Sequence, residues 1–143
     1  MPLKIAAKVD TVDQGYYCTK IAPLLVDDSV QFIGEVDQAG KNEFLGKACA
    51  LLFPVCWPEP FGLVMIEAMA CGTPVIALDC GSVREVVAHQ ETGFVCDSWE
   101  EMACAVGRIA EIDRQACRQH VEARFSARAM AQGYEQVYRT LLE

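Results

Sequence analysis

The amino-acid sequence predicts an α/β protein with a Rossmann-like three-layer sandwich, a mostly parallel five-stranded sheet and C-terminal helices. Short apolar runs alternate with segments of helical periodicity, which is typical of strands joined by helical crossovers. The run at 49–55 is continuously apolar, as expected for a central strand covered on both faces. A length of 143 residues fits one domain, 1–143, that buries roughly two thirds of its unfolded surface.

The N-terminal part is predicted to contain two strands, LKIAAKV at 3–9 and VQFIG at 30–34. A helical segment with Asp13 as its cap lies between them, and Pro23 bends or ends it because proline lacks an amide hydrogen. The sequence DQAGKNEFLGKAC, which begins at Asp37, supplies the next crossover helix.

The middle of the chain continues the same alternation. The helix LVMIEAMA begins near Leu63 and is stopped by Gly72 followed by Pro74. Three further strands are predicted at 49–55, 74–78 and 93–96.

The chain closes with three predicted helices. Ser98, Asp113 and Ser126 are the predicted caps or first residues. Apolar side chains repeat at helical spacing on all three, which predicts that each packs one face on the core. On the last helix these side chains are Met130, Tyr134, Val137, Tyr138 and Leu141.

Composition excludes several classes of partner. The net charge of -8 and the pI near 4.7 oppose nucleic acid or an anionic membrane as the main partner. No apolar run reaches the roughly 18 residues of a transmembrane helix, and no signal peptide is recognisable. We expect a cytoplasmic protein.

The cysteines and histidines do not indicate a metal site. The eight cysteines form no C-x-x-C pair, and zinc ligands usually come in close pairs. Most of the cysteines have apolar neighbours, where a free thiol behaves as a small hydrophobic group. His89 and His120 lie among polar residues, which favours a solvated surface role for both.

The segment WPEPFGLVMIEAMAC, which begins at Trp57, carries the candidate site. It follows the central strand, and ligands of open parallel sheets bind beyond the carboxyl ends of the strands. Gly62 lets the backbone turn into the helix that begins near Leu63. The free amides and partial positive charge of that helix start suit a phosphate.

Glu67 is the only charged residue between Phe61 and Leu78. A buried carboxylate without a partner is costly, so Glu67 either meets a cation or opens onto a polar cleft. In the cleft it would accept two hydrogen bonds from a vicinal diol such as a ribose, with Glu59 on the other side of the phosphate. The alternative is that Glu67 pairs with an arginine such as Arg84 and that Glu59 is a solvated loop residue.

On longer motifs the sequence resembles the retaining nucleotide-sugar glycosyltransferases of the GT-B fold (glycosyl transferases group 1), specifically their C-terminal donor-binding domain. The resemblance covers nearly the whole chain and is carried by FIGEV, ALLFPVCWPEPFGLVMIEAMACGTPVIAL, GSVREVV, TGFVCD and the closing helix, at 32–36, 50–78, 81–87, 92–97 and 125–142.

The resemblance implies a role for each candidate site residue. Glu59, the candidate catalytic residue, would contact hydroxyls of the donor sugar, and the backbone amides of Phe61, Gly62 and Leu63 would hold the donor diphosphate. Glu67 would bind the ribose hydroxyls. The donor would be a nucleotide-diphosphate sugar, with no metal and no other cofactor, since protein dipoles stabilise the leaving diphosphate.

The sequence also departs from the family pattern. It lacks the N-terminal acceptor domain and the first strand-helix unit of the donor domain, which carries Gly-Arg and Lys-Gly. The usual Gly-Gly-x-Pro-Glu is replaced by GSVRE at 81–85. The missing strand would lie between 3–9 and 49–55, so these strands either pair directly or borrow a strand from another molecule, as in a homodimer. Direct pairing gives the strand order 30–34, 3–9, 49–55, 74–78, 93–96.

These features predict the donor-binding part of a hexosyltransferase that is inactive as the isolated chain, because transfer needs a held acceptor. Two alternatives stay open. The chain is a nucleotide-sugar-binding subunit completed by a partner chain, or it is a non-catalytic remnant domain.

Overall fold

A computed structural model describes residues 1–142 and confirms the α/β, Rossmann-like class. All five predicted strands are present, and the first, third and fourth are shorter than predicted. Their bounds are β1 Leu3–Ala6, β2 Val30–Gly34, β3 Leu51–Phe53, β4 Val75–Leu78 and β5 Gly93–Cys96.

Helices connect the strands and close the chain. Short 3-10 and π turns join α1 (Gln14–Tyr16) into one helical segment, 11–24, which ends one residue after Pro23. The other helices are α2 Gln38–Lys47, α3 Leu63–Ala70, α4 Val83–Val86, α5 Trp99–Arg108, α6 Arg114–Arg124 and α7 Ala127–Leu142. None of the helices in residues 1–142 is long and apolar enough to cross a membrane.

The strands form two parallel sheets, whereas the sequence predicted a single sheet. In one sheet β1 pairs with β2, and in the other the order is β3-β4-β5. Within each sheet the predicted neighbours are correct. Direct pairing of 3–9 with 49–55, one of the two arrangements expected for these strands, does not occur, because within residues 1–142 no ladder joins β1 to β3. A ladder requires continuous backbone hydrogen bonds between adjacent strands, and the resemblance places a further strand at this position.

The chain divides into two compact units, one comprising Met1–Lys41 and a second that begins at Asn42. The first unit has no fully buried residue. It is held by the β1–β2 ladder and by the rings of Tyr17 and Phe32, whose centroids lie 5.1 Å apart.

The second unit contains the buried core. Every residue of β4 is buried, as predicted for a strand in the interior of a parallel sheet. Helices α3 and α5 pack on this sheet, and α6 packs on α3. Their buried side chains are Met65, Ala68, Met69, Met102, Ala105, Cys117 and Val121.

Arg114, the first residue of α6, binds the C-terminal end of α2. Its guanidinium donates to the carbonyl oxygens of Ala48 and Gly46, each at 2.8 Å, and to Thr73 Oγ1 at 2.9 Å. The buried Thr73 hydroxyl in turn donates to the Leu45 carbonyl at 2.7 Å. Carbonyls that have no partner within α2 are therefore bonded by a residue from a distant helix.

The prediction that α7 packs its apolar face on the core is wrong. No residue of α7 is buried, and Tyr134 and Val137 are 59% and 55% exposed. The other members of the predicted stripe, Met130, Tyr138 and Leu141, are equally exposed. Helical periodicity shows only that one face is apolar and does not identify what covers it.

Candidate functional site

Gly62 starts α3 in a conformation that favours glycine. Its φ of 73° lies in the left-handed region, and a Cβ there would lie 2.6 Å from Met65 Cε and 3.2 Å from Phe53 Cζ. The Met65 amide donates to the Gly62 carbonyl at 2.9 Å, and no side-chain hydrogen bond caps this helix. The first amides of α3 can therefore bind an anion.

Glu59 precedes this helix on the loop that follows β3, and the residues before it fix its conformation. The Glu59 amide donates to the carbonyl of Trp57 at 2.7 Å. In addition, Trp57 Nε1 donates to Glu59 Oε2 at 3.2 Å. The half-buried Glu59 side chain therefore has a defined direction.

The turn before α4 supports the backbone of Glu59. The Ser82 amide donates to the Glu59 carbonyl at 3.1 Å. Gly81, with a φ of 59°, approaches so closely that a Cβ would lie 2.5 Å from the Glu59 carbonyl oxygen. The Ser82 hydroxyl is buried and makes no hydrogen bond to residues 1–142, so it has hydrogen-bonding capacity left.

Glu67 lies on the same face of α3 as Leu63, four residues earlier. This face is the less buried one, since Leu63 is 64% exposed and Glu67 is half-buried. Four residues of helix rise about 6 Å. A ligand held at the start of α3 would therefore reach Glu67 about one turn further on.

Arg84, offered above as a partner for Glu67, contacts other residues. Its Nε donates to Asp79 Oδ2 at 2.7 Å, and its Nη2 lies 3.9 Å from Asp97 Oδ1. Asp79 raises the pKa of Arg84 above its usual value, mainly through this hydrogen bond. Asp79 follows β4 and Asp97 follows β5, so Arg84 pairs with two carboxylates at the carboxyl edge of the sheet.

Phe61 packs against the end of α6. Its ring meets that of Phe125 edge to face, with centroids 5.9 Å apart. The same end of α6 holds α4, because Arg124 Nη2 donates to the Glu85 carbonyl at 3.2 Å and His120 Nε2 lies 3.0 Å from the Val86 carbonyl oxygen. The loop that carries Glu59 therefore contacts the end of α6 through Phe61, and α6 in turn holds α4.

Of the two histidines, His120 differs from the solvated surface role predicted for both. His120 is half-buried, and its bond to a main-chain carbonyl makes Nε2 the donor nitrogen. His89 is exposed, but its Nδ1 accepts a hydrogen bond from the Val95 amide at 3.1 Å. Polar neighbours in sequence do not reveal such contacts, because each depends on how the chain folds back on the histidine.

The structure brings four of the predicted site residues together at one loop-to-helix junction, and Glu67 follows one turn later. These four are Glu59, Phe61, Gly62 and Leu63. Sequence reasoning missed the residues that support this junction, Trp57, Gly81, Ser82 and Phe125. The only signal was the position of Trp57, two residues before Glu59. Among residues 1–142 no three His, Cys, Asp or Glu side chains are grouped as metal ligands would be.

Comparisons with known proteins agree on one family. The family model described as glycosyl transferases group 1 matches residues 10–124. N-acetyl-alpha-D-glucosaminyl L-malate synthase from Bacillus anthracis is 30% identical over an alignment that covers 97% of this chain and 39% of the synthase.

Two solved structures have the same fold. Sucrose-phosphate synthase from Thermosynechococcus elongatus superposes with a TM-score of 0.81 at 32% identity, covering 98% of this chain and 38% of that protein. HepE from Anabaena, solved in complex with UDP, superposes with a TM-score of 0.82 at 21% identity, covering 98% and 41%. The chain therefore spans about two fifths of the length of these relatives.

Proposed function

The chain belongs to the glycosyl transferases group 1 family, and from this we propose that it is the donor-binding part of a retaining hexosyltransferase. The enzyme would transfer a sugar from a nucleotide-diphosphate sugar to an acceptor. The observation that carries the proposal is the junction between Glu59 and Leu63, where an uncapped helix start follows a strand of a parallel sheet. HepE, which shares the fold, has been solved with UDP and with UDP-glucose.

Each site residue has a physically distinct task in this proposal. The amides of Phe61, Gly62 and Leu63 hold the diphosphate, because the helix start concentrates N–H donors and partial positive charge. Glu67, about one turn further, accepts hydrogen bonds from the two ribose hydroxyls. Glu59 contacts hydroxyls of the donor sugar. The acidic net charge of the chain does not prevent binding of the diphosphate, because the diphosphate contacts local N–H donors at short range.

We propose that the donor needs neither a metal nor another cofactor. Fixed N–H dipoles placed where the leaving diphosphate gains charge perform the task that a cation performs elsewhere. Binding of the donor should therefore be the same with and without a chelator.

Transfer of the sugar needs more than this chain. An acceptor must be held in attacking geometry, and the relatives devote about three fifths of their length to parts that this chain does not match. We propose that an N-terminal acceptor domain, together with a first strand-helix unit, completes the enzyme. These parts belong to a longer protein or to a partner chain, and the purified 143-residue chain shows no transfer by itself.

Calorimetric titration with nucleoside diphosphates and their sugar conjugates tests the donor site. One base should give saturable heat, and Glu67→Ala should weaken that binding about tenfold, because two hydrogen bonds are lost. A 2′,3′-dideoxy nucleoside diphosphate lacks the hydroxyls, so wild type and Glu67→Ala should bind it equally. Glu100→Ala, an exposed glutamate in the first turn of α5, is the matched control.

The absence of heat with every nucleotide at millimolar concentration would contradict the proposal. The remnant alternative predicts this absence together with a large loss of stability in Glu67→Ala. Detectable sugar transfer by the purified chain would instead contradict its predicted inactivity.

A further inference from the structure

Trp57 lies on the loop before Glu59. Its side chain is 59% exposed, so burial in the core does not explain it. Its one polar atom, Nε1, donates a hydrogen bond to Glu59 Oε2 at 3.2 Å. The indole N–H is therefore directed at the carboxylate to which the proposed function assigns the donor sugar.

Two hydrogen bonds connect Trp57 and Glu59, one through the backbone and one through the side chains. The backbone bond, from the Glu59 amide to the Trp57 carbonyl at 2.7 Å, closes a three-residue turn with Pro58 at its centre. Pro58 restricts φ in this turn. The two residues thus form a small closed unit in which the carboxylate has little freedom to rotate.

The same carboxylate is fixed from the other side through its main chain. Ser82 and Gly81 hold the Glu59 backbone in place, as described above. With the backbone fixed, the remaining freedom of Glu59 is that of its side-chain torsions, and these are what the indole N–H restrains.

We propose that Trp57 is a positioning residue for the sugar half of the donor and acts through Glu59. This inference rests on the proposed function. A carboxylate has about four acceptor sites, and the indole occupies one of them, so the others remain for sugar hydroxyls. A group oriented in advance loses less conformational freedom when the sugar binds. Trp57 should therefore affect the sugar of the donor and leave the nucleoside diphosphate unaffected.

A fluorescence experiment tests the contact without any ligand. The chain has two tryptophans, so Trp99→Phe leaves Trp57 as the only indole emitter. In this background Glu59→Ala should shift the emission of Trp57, because the indole loses its hydrogen-bond acceptor. Glu100→Ala lies in α5, far in sequence from the loop that carries Trp57, and should leave the emission unchanged. An emission unaffected by Glu59→Ala would overturn the inference.

A binding experiment tests the positioning role. The measured quantity is the ratio of affinities for the sugar conjugate and for the same nucleoside diphosphate. Trp57→Phe keeps an aromatic ring but removes the N–H, and it should lower this ratio about three- to tenfold. Trp99→Phe, at a comparably exposed position (55%), should leave the ratio unchanged.

The double variant shows whether Trp57 acts through Glu59. In a Glu59→Ala background, Trp57→Phe should have no further effect on the ratio, so the two changes should be strongly non-additive. Additive effects would overturn the positioning role, as would an unchanged ratio in Trp57→Phe. A chain that binds neither ligand would overturn the proposed function and this role with it, which is a different result from binding with an unchanged ratio.

Discussion

At the scale of single residues, two glycines determine the shape of the candidate site. Gly62 allows the loop to enter α3, and Gly81 allows a neighbouring turn to approach the backbone of Glu59. Both have positive φ, and at both an added Cβ would overlap a neighbour. The conformation of the loop therefore depends on positions that carry no side chain.

Gly81→Ala should destabilise the chain by about 1–3 kcal/mol, since it combines an unfavourable φ with a backbone clash. Urea denaturation monitored by circular dichroism measures this loss. Gly133→Ala is the matched control, because an added Cβ meets nothing within 4 Å in α7. The control should gain up to about 1 kcal/mol from helix propensity. Equal effects at the two positions would argue against the contact between Gly81 and Glu59.

Burial changes the ionisation of the Cys117 thiol. Its thiol is fully buried in α6 beside the Thr92 carbonyl, with Sγ and oxygen 3.5 Å apart. Burial raises the pKa of this thiol from 9.0 to about 11. The folded chain therefore holds this proton more tightly than the unfolded chain.

The raised pKa of Cys117 makes stability depend on pH in a defined direction. Its contribution is complete below pH 9, where both states are protonated, and is lost as the pH rises to about 11. The difference in unfolding free energy between wild type and Cys117→Ala should fall by about 2–3 kcal/mol across this range. Urea denaturation at several pH values measures it. Cys104→Ala, at an exposed position, should show no such trend, and a flat difference for Cys117 would contradict the prediction.

Sequence reasoning identified Glu59, Gly62 and Leu63 because they are adjacent in the chain, and a loop followed by a helix can be recognised locally. Trp57 and Gly81 were missed for different reasons. The Trp57 contact depends on a side-chain rotamer, and the Gly81 contact joins segments that are distant in sequence. Neither contact produces a periodic pattern in the amino-acid sequence. The roles assigned to Glu59 and Glu67 stay predictions until binding is measured.

At the scale of elements, Arg114 joins two helices. It begins α6, but its guanidinium binds the carbonyls at the end of α2 and the hydroxyl of Thr73. Two of its hydrogen bonds fix the end of α2 directly to the start of α6, and the third does so through Thr73, which donates to the Leu45 carbonyl.

Arg114→Ala should lower the free energy of unfolding by about 1–3 kcal/mol, because two carbonyls and the Thr73 hydroxyl lose their donor. Chemical denaturation measures the loss. Arg118→Ala in the same helix is the control. Arg118 forms an exposed pair with Glu122 at 2.9 Å, and such pairs contribute less than about 1 kcal/mol. Similar losses for both variants would contradict a structural role for Arg114.

Helix boundaries were predictable where polar caps mark them. Ser98 and Asp113 cap α5 and α6 by accepting hydrogen bonds from the amides of Glu101 and Gln115. The burial of α7 was not predictable, because an apolar stripe at Tyr134 and Val137 is the same whether or not another element covers it.

At the scale of the whole molecule, the core lies in one of the two compact units. Residues 1–41 include no fully buried residue, whereas every residue of β4 and three of the four residues of β5 are buried. The alternation of strands and helices predicted the fold class because it is a local property. It could not predict that the strands form two sheets, since pairing depends on which strand edges meet.

Amide hydrogen exchange should distinguish the two units. The amides of β1 and β2 should exchange faster than those of β4 and β5, because protection follows burial and local contact density. Mass spectrometry of peptic peptides after timed labelling measures this. Equal protection of Val30–Gly34 and Val75–Leu78 would contradict it.

The bond from Arg114 to Ala48 spans 66 residues of chain. On the ribosome, α2 emerges long before its partner is synthesised, so the carbonyls at its end stay hydrated until α6 has left the exit tunnel. The hydrogen bonds from Arg114 to the end of α2 therefore form late in translation. In a stalled nascent chain that ends before Arg114, the C-terminal end of α2 would be frayed.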